Sequence, residues 1–258
     1  MTETRRFIFI GGAEGSGTTL LLRILSRPDG CVSLGGNHVK LPDGPEAQRL
    51  AVEFEHINRR VWDRHADLEQ SIASRCDWIA ITAQILLSPA FSTQSHFLLK
   101  RSFPFAMPRN RYTPDLWDVA DILPNARVVL IYRDPCATTF SALRRGFDTD
   151  LRRIAVSCGE QLTYLAAQAA AAGADRVRVV SYERLCREPA RVVKSIGEFC
   201  GLTMAAIATA VSAEAMHQRT DERYANELAA EQVTWLRRFF DGRRRAQWRL
   251  LEASLHAD

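Results

Sequence analysis

The sequence predicts an α/β fold in which helices flank a central parallel sheet. Short apolar runs of strand length alternate with longer segments of helical periodicity along most of the 258 residues. The clearest strand is the run at residues 126–132 (ARVVLIY), followed by the run at residues 7–10 (FIFI). Strands that are buried on both faces have continuous apolar sequences, so both runs are expected inside a parallel sheet.

Three further strands and two helical regions complete the predicted alternation. Strands are predicted at residues 31–34, 97–100 and 176–182, each bounded by turn-forming or charged residues. Between the second and third strands, apolar residues recur at helical spacing over about residues 45–90. This spacing predicts a helical insertion, which we expect to cover the site. The chain from Ala205 onwards is also predicted to be helical and to pack around the sheet.

A glycine-dense loop, GGAEGSGTT at residues 11–19, joins the first strand to the first helix. A helix start leaves backbone N–H groups without intrahelical partners and carries the positive end of the helix dipole. Glycines let this backbone approach a ligand closely, and the hydroxyls of Ser16, Thr18 and Thr19 add donors. The loop therefore predicts a site for a phosphate-like anion. The alternative is a plain connection that needs its glycines only for the bend.

The loop lacks the lysine of the usual ATP-binding loop. The pattern G-x-x-x-x-G-K-[ST] fits from Gly12 to Gly17 and then requires lysine, where this chain has Thr18. That lysine reaches the outer phosphates of ATP, so ordinary phosphoryl transfer is not predicted. The glycine spacing does not match the dinucleotide pattern G-x-G-x-x-G either. We therefore expect a P-loop-type sheet whose loop binds its anion in another way.

Composition and charge argue against several other classes of protein. A net charge of +4 gives no reason to expect nucleic-acid binding. No apolar run approaches the roughly 18 residues that cross a membrane, and the run after Arg6 is too short for a secretory signal. The six cysteines are dispersed without a C-x-x-C pair, which predicts reduced core thiols rather than disulfides or a metal site. We expect one cytoplasmic domain over residues 1–258.

Several polar side chains are predicted at the carboxyl edge of the sheet, where open parallel sheets bind ligands. His38 follows the second strand, and a neutral imidazole can accept a proton near pH 7. Arg133 ends the fourth strand, Ser141 lies in the next helix, and Arg145 follows one turn later. His38 is therefore a candidate base, and the other three residues form a candidate anion site. A histidine bonded to loop backbone and ordinary surface arginines are the alternatives.

Three sequence blocks occur in a characteristic order. Residues 10–20 (IGGAEGSGTTL) come first, and residues 129–135 (VLIYRDP), with Ser141 eight positions after Arg133, come second. Residues 179–189 (VVSYERLCREP) come last. Together they resemble the 5′-phosphosulfate loop, the 3′-phosphate element and the late strand–helix signature of sulfotransferases that use 3′-phosphoadenosine 5′-phosphosulfate (PAPS). The pattern is most similar to the tyrosylprotein and carbohydrate branches of that family.

The resemblance implies a role for each candidate residue. It makes His38, rather than its neighbour Asn37, the general base, and it places Lys100 near the reacting groups. The products would be a sulfated acceptor and 3′-phosphoadenosine 5′-phosphate (PAP). No metal is expected, because a sulfuryl group carries less negative charge than a phosphoryl group. The donor-binding residues would be Gly15, Ser16, Gly17, Thr18, Thr19, Arg133, Ser141, Arg145 and Tyr182.

One position departs from the family pattern. The family places Lys or Arg just before the Ser-Gly-Thr-Thr segment, where this chain has Gly15 preceded by Glu14. We expect Lys100 to supply the missing positive charge. Two other hypotheses stay open: a P-loop kinase of nucleotides or small molecules, and a nucleotide-binding relative without catalytic activity. For a sulfotransferase, the acceptor would be a small molecule, a sugar or a tyrosine-like phenol.

Overall fold

The centre of the fold is a parallel five-stranded sheet. The computed structural model describes residues 5–34, 40–61, 67–103, 125–172, 175–203 and 223–241. The strands are β1 (Arg6–Ala13), β2 (Cys31–Leu34), β3 (His96–Phe103), β4 (Arg127–Tyr132) and β5 (Val177–Ser181). Their order in the sheet is β2-β3-β1-β4-β5, and all neighbours are parallel. The five predicted strands and the predicted fold class are confirmed.

Helices connect these strands and cover the sheet. Helix α1 (Thr18–Leu25) begins at Thr18, as predicted, and α7 (Pro189–Cys200) is followed by Gly201 in the left-handed conformation that suits a helix end. A short 3₁₀ turn at Pro89–Phe91 precedes β3. The described helices are α1 (Thr18–Leu25), α2 (Pro45–Val61), α3 (Leu68–Leu87), α4 (Pro135–Arg144), α5 (Leu151–Ala172), α6 (Tyr182–Arg187), α7 (Pro189–Cys200), α8 (Arg223–Glu227) and α9 (Ala230–Phe240).

Two apolar layers lie on opposite faces of the sheet. Successive side chains of a strand point to opposite faces, so Phe7 and Phe9 of β1 belong to one layer and Ile8 and Ile10 to the other. The phenylalanine face is covered by α2, α3 and α5. The isoleucine face is covered by α1, α6 and α7. Because both faces of β1 are buried, the loop that follows it starts from a rigid strand in the middle of the sheet.

The helical insertion between β2 and β3 is part of the core. The helix-spaced residues Leu50, Phe54 and Ile57 of α2 are buried, as are Trp78 and its apolar neighbours on α3. The ring of Trp78 lies 6.4 Å from that of Phe7 on β1 and 6.3 Å from that of Phe54. The predicted helical insertion is confirmed, and it consists of two helices. The two helices pack chiefly against each other, and their shared apolar side chains also reach the phenylalanine face of the sheet.

The described helices after residue 222 pack on other helices. Tyr224 of α8 and Val233, Leu236 and Phe240 of α9 form an apolar cluster with buried residues of α4 and α5. The expectation that this region packs around the sheet is therefore corrected for α8 and α9, since helix α5 lies between them and the strands.

Within the described residues, no helix has both the length and the hydropathy needed to cross a membrane.

Candidate active site

The loop between β1 and α1 requires glycine for its backbone and for its packing. Gly15 has φ of +91° and Gly17 has φ of +103°, a region that L side chains rarely adopt. A Cβ atom on Gly17 would lie 2.5 Å from Cδ2 of Tyr182, and one on Gly12 would overlap the carbonyl oxygen of Ile131. The glycines therefore do more than bend the chain. They bring the loop into contact with β4 and the start of α6.

We expect Gly17→Ala to lower the free energy of unfolding by about 2–4 kcal/mol, because it adds backbone strain and a clash with the Tyr182 ring. Gly146→Ala is the matched control, since Gly146 also has positive φ (+71°) but has open space around its Cβ position. That variant should lose about 1 kcal/mol through strain alone. Urea denaturation of both variants measures the difference. Equal losses would show that the contact with Tyr182 does not restrict the loop.

The loop hydroxyls have different partners. Ser16 is fully buried; its Oγ donates to the carbonyl oxygen of Ala13 at 2.6 Å, and its N–H donates to the same oxygen at 3.0 Å. The Ser16 hydroxyl thus stabilises the loop, and its part as a further anion donor stays a prediction. Thr18 Oγ1 lies 2.9 Å from the Oγ atom of Ser102 on β3, and Thr19 is half-buried at the helix start. The sequence analysis missed Ser102, which only the β1–β3 pairing places there.

Arg133, which was placed at the carboxyl end of its strand, and Tyr182, which the resemblance put near the nucleotide, meet at the loop. The Arg133 Nη1 atom donates to the carbonyl oxygen of Gly15 at 3.2 Å. The same guanidinium group lies over the Tyr182 ring, with 4.6 Å between Cζ and the ring centroid. Tyr182 in turn packs on Gly17. The end of β4, the start of α6 and the loop are thus joined through one arginine and one tyrosine.

A carboxylate that the sequence analysis did not single out holds this arrangement. Glu183 accepts hydrogen bonds from the Asp134 N–H and from the Ser181 hydroxyl, both at 2.7 Å. Asp134 also caps α4, because its Oδ1 atom accepts from the Ala137 N–H at 2.8 Å. The bond to Glu183 fixes the backbone next to Arg133. The signal in the sequence was the position of Glu183, directly after Tyr182 in the third block.

Helix α4 lies against the loop at Gly15. A Cβ atom on Gly15 would lie 3.1 Å from both Cβ and Oγ of Ser141. The positive φ and this close contact both disfavour the basic side chain that the family pattern places at this position. Arg145 follows one turn beyond Ser141, at the carboxyl end of α4, and is exposed. The predicted anion residues Arg133 and Ser141 therefore both reach the loop, and Arg145 lies at its rim.

A carboxylate and three cations share the edge of the site. Burial raises the pKa of the Glu14 carboxyl, and the charges of Arg145, Lys100 and Arg101 oppose this rise. Burial lowers the pKa of the Lys100 ammonium group; Glu14 opposes this change, and Arg101 and Arg145 add to it. The predicted residue Lys100 is thus half-buried and within electrostatic reach of the loop. Glu14 was noticed in the sequence only as a departure from the family pattern.

His38 and its neighbour Asn37 lie outside the described residues. The chain leaves β2 at Leu34 and is described again from Lys40, whose N–H donates to the Ser33 hydroxyl at 2.7 Å. The Lys40 ammonium group donates to three carbonyl groups at the end of α1, at 2.8–3.0 Å. Both ends of the segment are therefore anchored, and the role of His38 as a base stays a prediction.

The sequence of this chain matches a protein-family model over residues 7–206, and that family is described as the sulfotransferase family. The chain belongs to the sulfotransferase family. The match extends from β1 through all five strands and α7, so it includes the loop, Arg133 and Tyr182. The resemblance inferred from the three sequence blocks is confirmed at the level of the family, and the branch stays a prediction.

Solved structures of other sulfotransferases share the fold of this one. A sulfotransferase from Alicyclobacillus acidocaldarius has 17% sequence identity, a TM-score of 0.59, and coverage of 99% of this chain and 97% of that chain. The sulfotransferase domain of the Synechococcus PCC 7002 olefin synthase has 20% identity, a TM-score of 0.53, and coverage of 98% and 95%. A mouse sulfotransferase complexed with PAP has 13% identity, a TM-score of 0.53, and coverage of 100% and 90%.

Proposed function

We propose that this sulfotransferase moves the sulfuryl group of PAPS to a hydroxyl or amine of an acceptor, giving a sulfated product and PAP. One observation carries the proposal: Arg133, Ser141 and Tyr182, from three different elements, converge on the glycine loop. A bound nucleotide that has phosphate groups at both its 5′ and 3′ positions needs such a double anion site. An ATP-type loop needs the lysine that Thr18 replaces.

The donor would be held by two groups of residues. Backbone N–H groups of Gly15, Gly17 and Thr18 and the hydroxyls of Thr18 and Thr19 would bind the 5′-phosphosulfate at the positive end of α1. No side chain caps α1 at Gly17, which leaves its first turn to an anion. The 3′-phosphate would be bound by Arg133, Ser141 and Arg145, and Tyr182 would lie beside the nucleotide.

The transfer step would be an in-line displacement at sulfur. The acceptor oxygen or nitrogen forms a bond to sulfur while the bond from sulfur to the bridging oxygen of PAPS breaks. His38 would take the acceptor proton, and Lys100 would stabilise the negative charge that develops on the leaving phosphate. The half-buried position of Lys100 supports this role, because electrostatic stabilisation is stronger where water is partly excluded.

One specific observation favours the hypothesis of a relative without catalytic activity. Glu14 and Gly15 occupy the place where the family has a basic residue, and the positive φ of Gly15 and the nearby Ser141 disfavour one there. Under this hypothesis the protein would bind PAP and PAPS but would transfer nothing. The kinase hypothesis has no comparable support, since Thr18 is buried and bonded to Ser102 where a P-loop kinase has its lysine.

The experiment that separates these hypotheses is a product assay over a panel of acceptors. The protein is incubated with PAPS, or with magnesium and ATP, and with phenols including tyrosine peptides, sugars and amines. PAP and ADP are then quantified by chromatography. We expect PAP to form from PAPS only when an acceptor is present, for at least one class of acceptor. Formation of ADP and a phosphorylated acceptor would contradict the proposal, and binding of PAPS without turnover by any class would favour the inactive relative.

A further inference from the structure

A cavity lies between β5, which is at one edge of the sheet, and helix α7. Its volume is about 460 Å³, and sites for small molecules have volumes of about 300–1,000 Å³. Among the described residues that line it, none is assigned to the donor, and Ser181, directly before Tyr182, comes nearest in sequence. The cavity is thus a second place where this chain can bind a small molecule.

The wall of this cavity carries an excess of positive charge. Its described charged residues are three arginines from three elements and one glutamate: Arg178 of β5, Arg184 of α6, and Arg191 and Glu198 of α7. The Glu198 carboxylate has a neighbouring cation, since Lys194 Nζ lies 3.9 Å from it. Arg191 pairs with Glu188 at 3.3 Å, but this pair is exposed and therefore weak. An anion in the cavity would be attracted by the arginines that line it.

Two of these arginines are held in place before any ligand binds. Arg178 is half-buried, and its Cζ atom lies 5.3 Å from the centroid of the Phe199 ring, which also lines the cavity. Arg184 is half-buried as well, and its backbone is fixed because its N–H donates to the Ser181 hydroxyl at 3.2 Å. Restraining long side chains in advance lowers the entropy that binding costs. Planar guanidinium groups can give two parallel hydrogen bonds to an oxyanion.

Part of the wall is apolar. Val180 of β5 and Val192 and Ile196 of α7 line the cavity and belong to the apolar layer on the isoleucine face. The ring of Phe199 adds an aromatic surface. A small inorganic anion would leave these side chains without contacts, whereas an organic anion would cover them. The wall therefore suits a ligand that has both an apolar body and a negative charge.

We propose that the cavity between β5 and α7 is a second binding site, for a small organic anion. Its carboxylate, sulfate or phosphate group would be bound by Arg178 and Arg184, and its apolar body would lie against Val192, Ile196 and Phe199. The three anionic groups share the chemistry that a guanidinium group recognises. The inference goes beyond the proposed function, because it concerns a different ligand in a different place.

Calorimetric titration with four naphthalene compounds tests the inference. Naphthoate, naphthyl sulfate and naphthyl phosphate share one apolar body and differ in their anionic group, and naphthol has no charge. Each compound is titrated into the full chain in excess PAP, so that no probe occupies the donor loop. We expect at least one of the three anions to bind. Its anionic group then identifies the class of ligand: an organic acid, a sulfate ester or a phosphate ester.

Variants of the two arginines decide whether the anion binds in this cavity. Arg184→Ala and Arg178→Ala should each raise its dissociation constant about tenfold, because each removes charge-assisted hydrogen bonds. Any affinity for naphthol should stay the same. Arg184→Lys keeps the charge and should recover part of the affinity. Arg187→Ala is the matched control, since Arg187 is exposed on the same helix and is not among the residues that line the cavity.

Two results would overturn the inference. In the first, none of the three anions binds to the native chain. In the second, an anion binds with the same affinity to Arg184→Ala and Arg178→Ala as to the native chain. Thermal unfolding of each variant shows that it is folded. A native chain that does not bind PAP would count against the proposed function alone, because the same comparison of anions and variants can be made without PAP.

Discussion

We expect Arg133→Ala to raise the dissociation constant for PAP roughly 100-fold, the largest effect among the residues of the donor site. In the proposed complex, Arg133 gives charge-assisted hydrogen bonds to the 3′-phosphate, and each such bond contributes about 1.5–3 kcal/mol. The same guanidinium group already contacts the Gly15 carbonyl and the Tyr182 ring, so it is held in place before the nucleotide arrives. Isothermal titration with PAP measures the loss.

Titration with a second ligand shows which contact of Arg133 matters for binding. Adenosine 5′-phosphate lacks only the 3′-phosphate of PAP, so the native chain should prefer PAP and Arg133→Ala should lose most of this preference. The control Arg153→Ala removes an exposed arginine that pairs with Asp148 at 3.0 Å, and it should bind PAP normally. If Arg133→Ala weakened both ligands equally, Arg133 would act by shaping the loop through Gly15, and its assignment to the 3′-phosphate would be wrong.

The second large effect is expected in turnover. Lys100→Ala should lower kcat about 100-fold, because it removes a well-placed donor from the charge that develops on the leaving phosphate. The affinity for PAP should change much less. The measurement uses the acceptor that the product assay identifies. Lys194→Ala, which removes an exposed lysine of α7, is the control and should keep full activity. Full turnover by Lys100→Ala would show that another group replaces the basic residue missing at Gly15.

The pH dependence of turnover gives an independent check on Lys100. Burial lowers the pKa of its ammonium group, so the positive charge is lost at a lower pH than for an ordinary lysine. Activity should therefore decline on the alkaline side as the pH rises through this lowered pKa. In Lys100→Arg the side chain keeps its charge to much higher pH, so the alkaline decline in activity should shift to higher pH. If the decline occurred at the same pH in this variant, the group that titrates would be a different one.

The strands and the place of the site could be predicted because both depend on local sequence. The buried run before Arg133 and the run before Gly11 are too apolar and too short for anything but interior strands. Parallel strands present their carboxyl ends at one edge, so Arg133 was expected near the glycine loop, and the family resemblance implied a place for Tyr182 beside the same nucleotide. The contact of Arg133 with Gly15 and with Tyr182 agrees with that expectation.

The features that could not be predicted depend on contacts between distant parts of the chain. A basic residue is missing at Gly15, and the close packing of Ser141 against that position could not be read from the sequence. The hydrogen bonds of Glu183 and the pairing of Ser102 with Thr18 likewise follow from the register of strands, which a single sequence does not reveal. For the same reason, the packing of the helical insertion within the core could not be read from the sequence.

The most direct test of the central claim is a calorimetric titration of the native chain with PAP, compared with magnesium and ADP. The claim is that the loop, Arg133 and Ser141 together form a site for a nucleotide with a 3′-phosphate. The account predicts tight binding of PAP without added metal and weak binding of ADP with magnesium. A preference for ADP with magnesium would contradict it and favour a kinase, and binding of neither would show that this site does not hold the proposed donor.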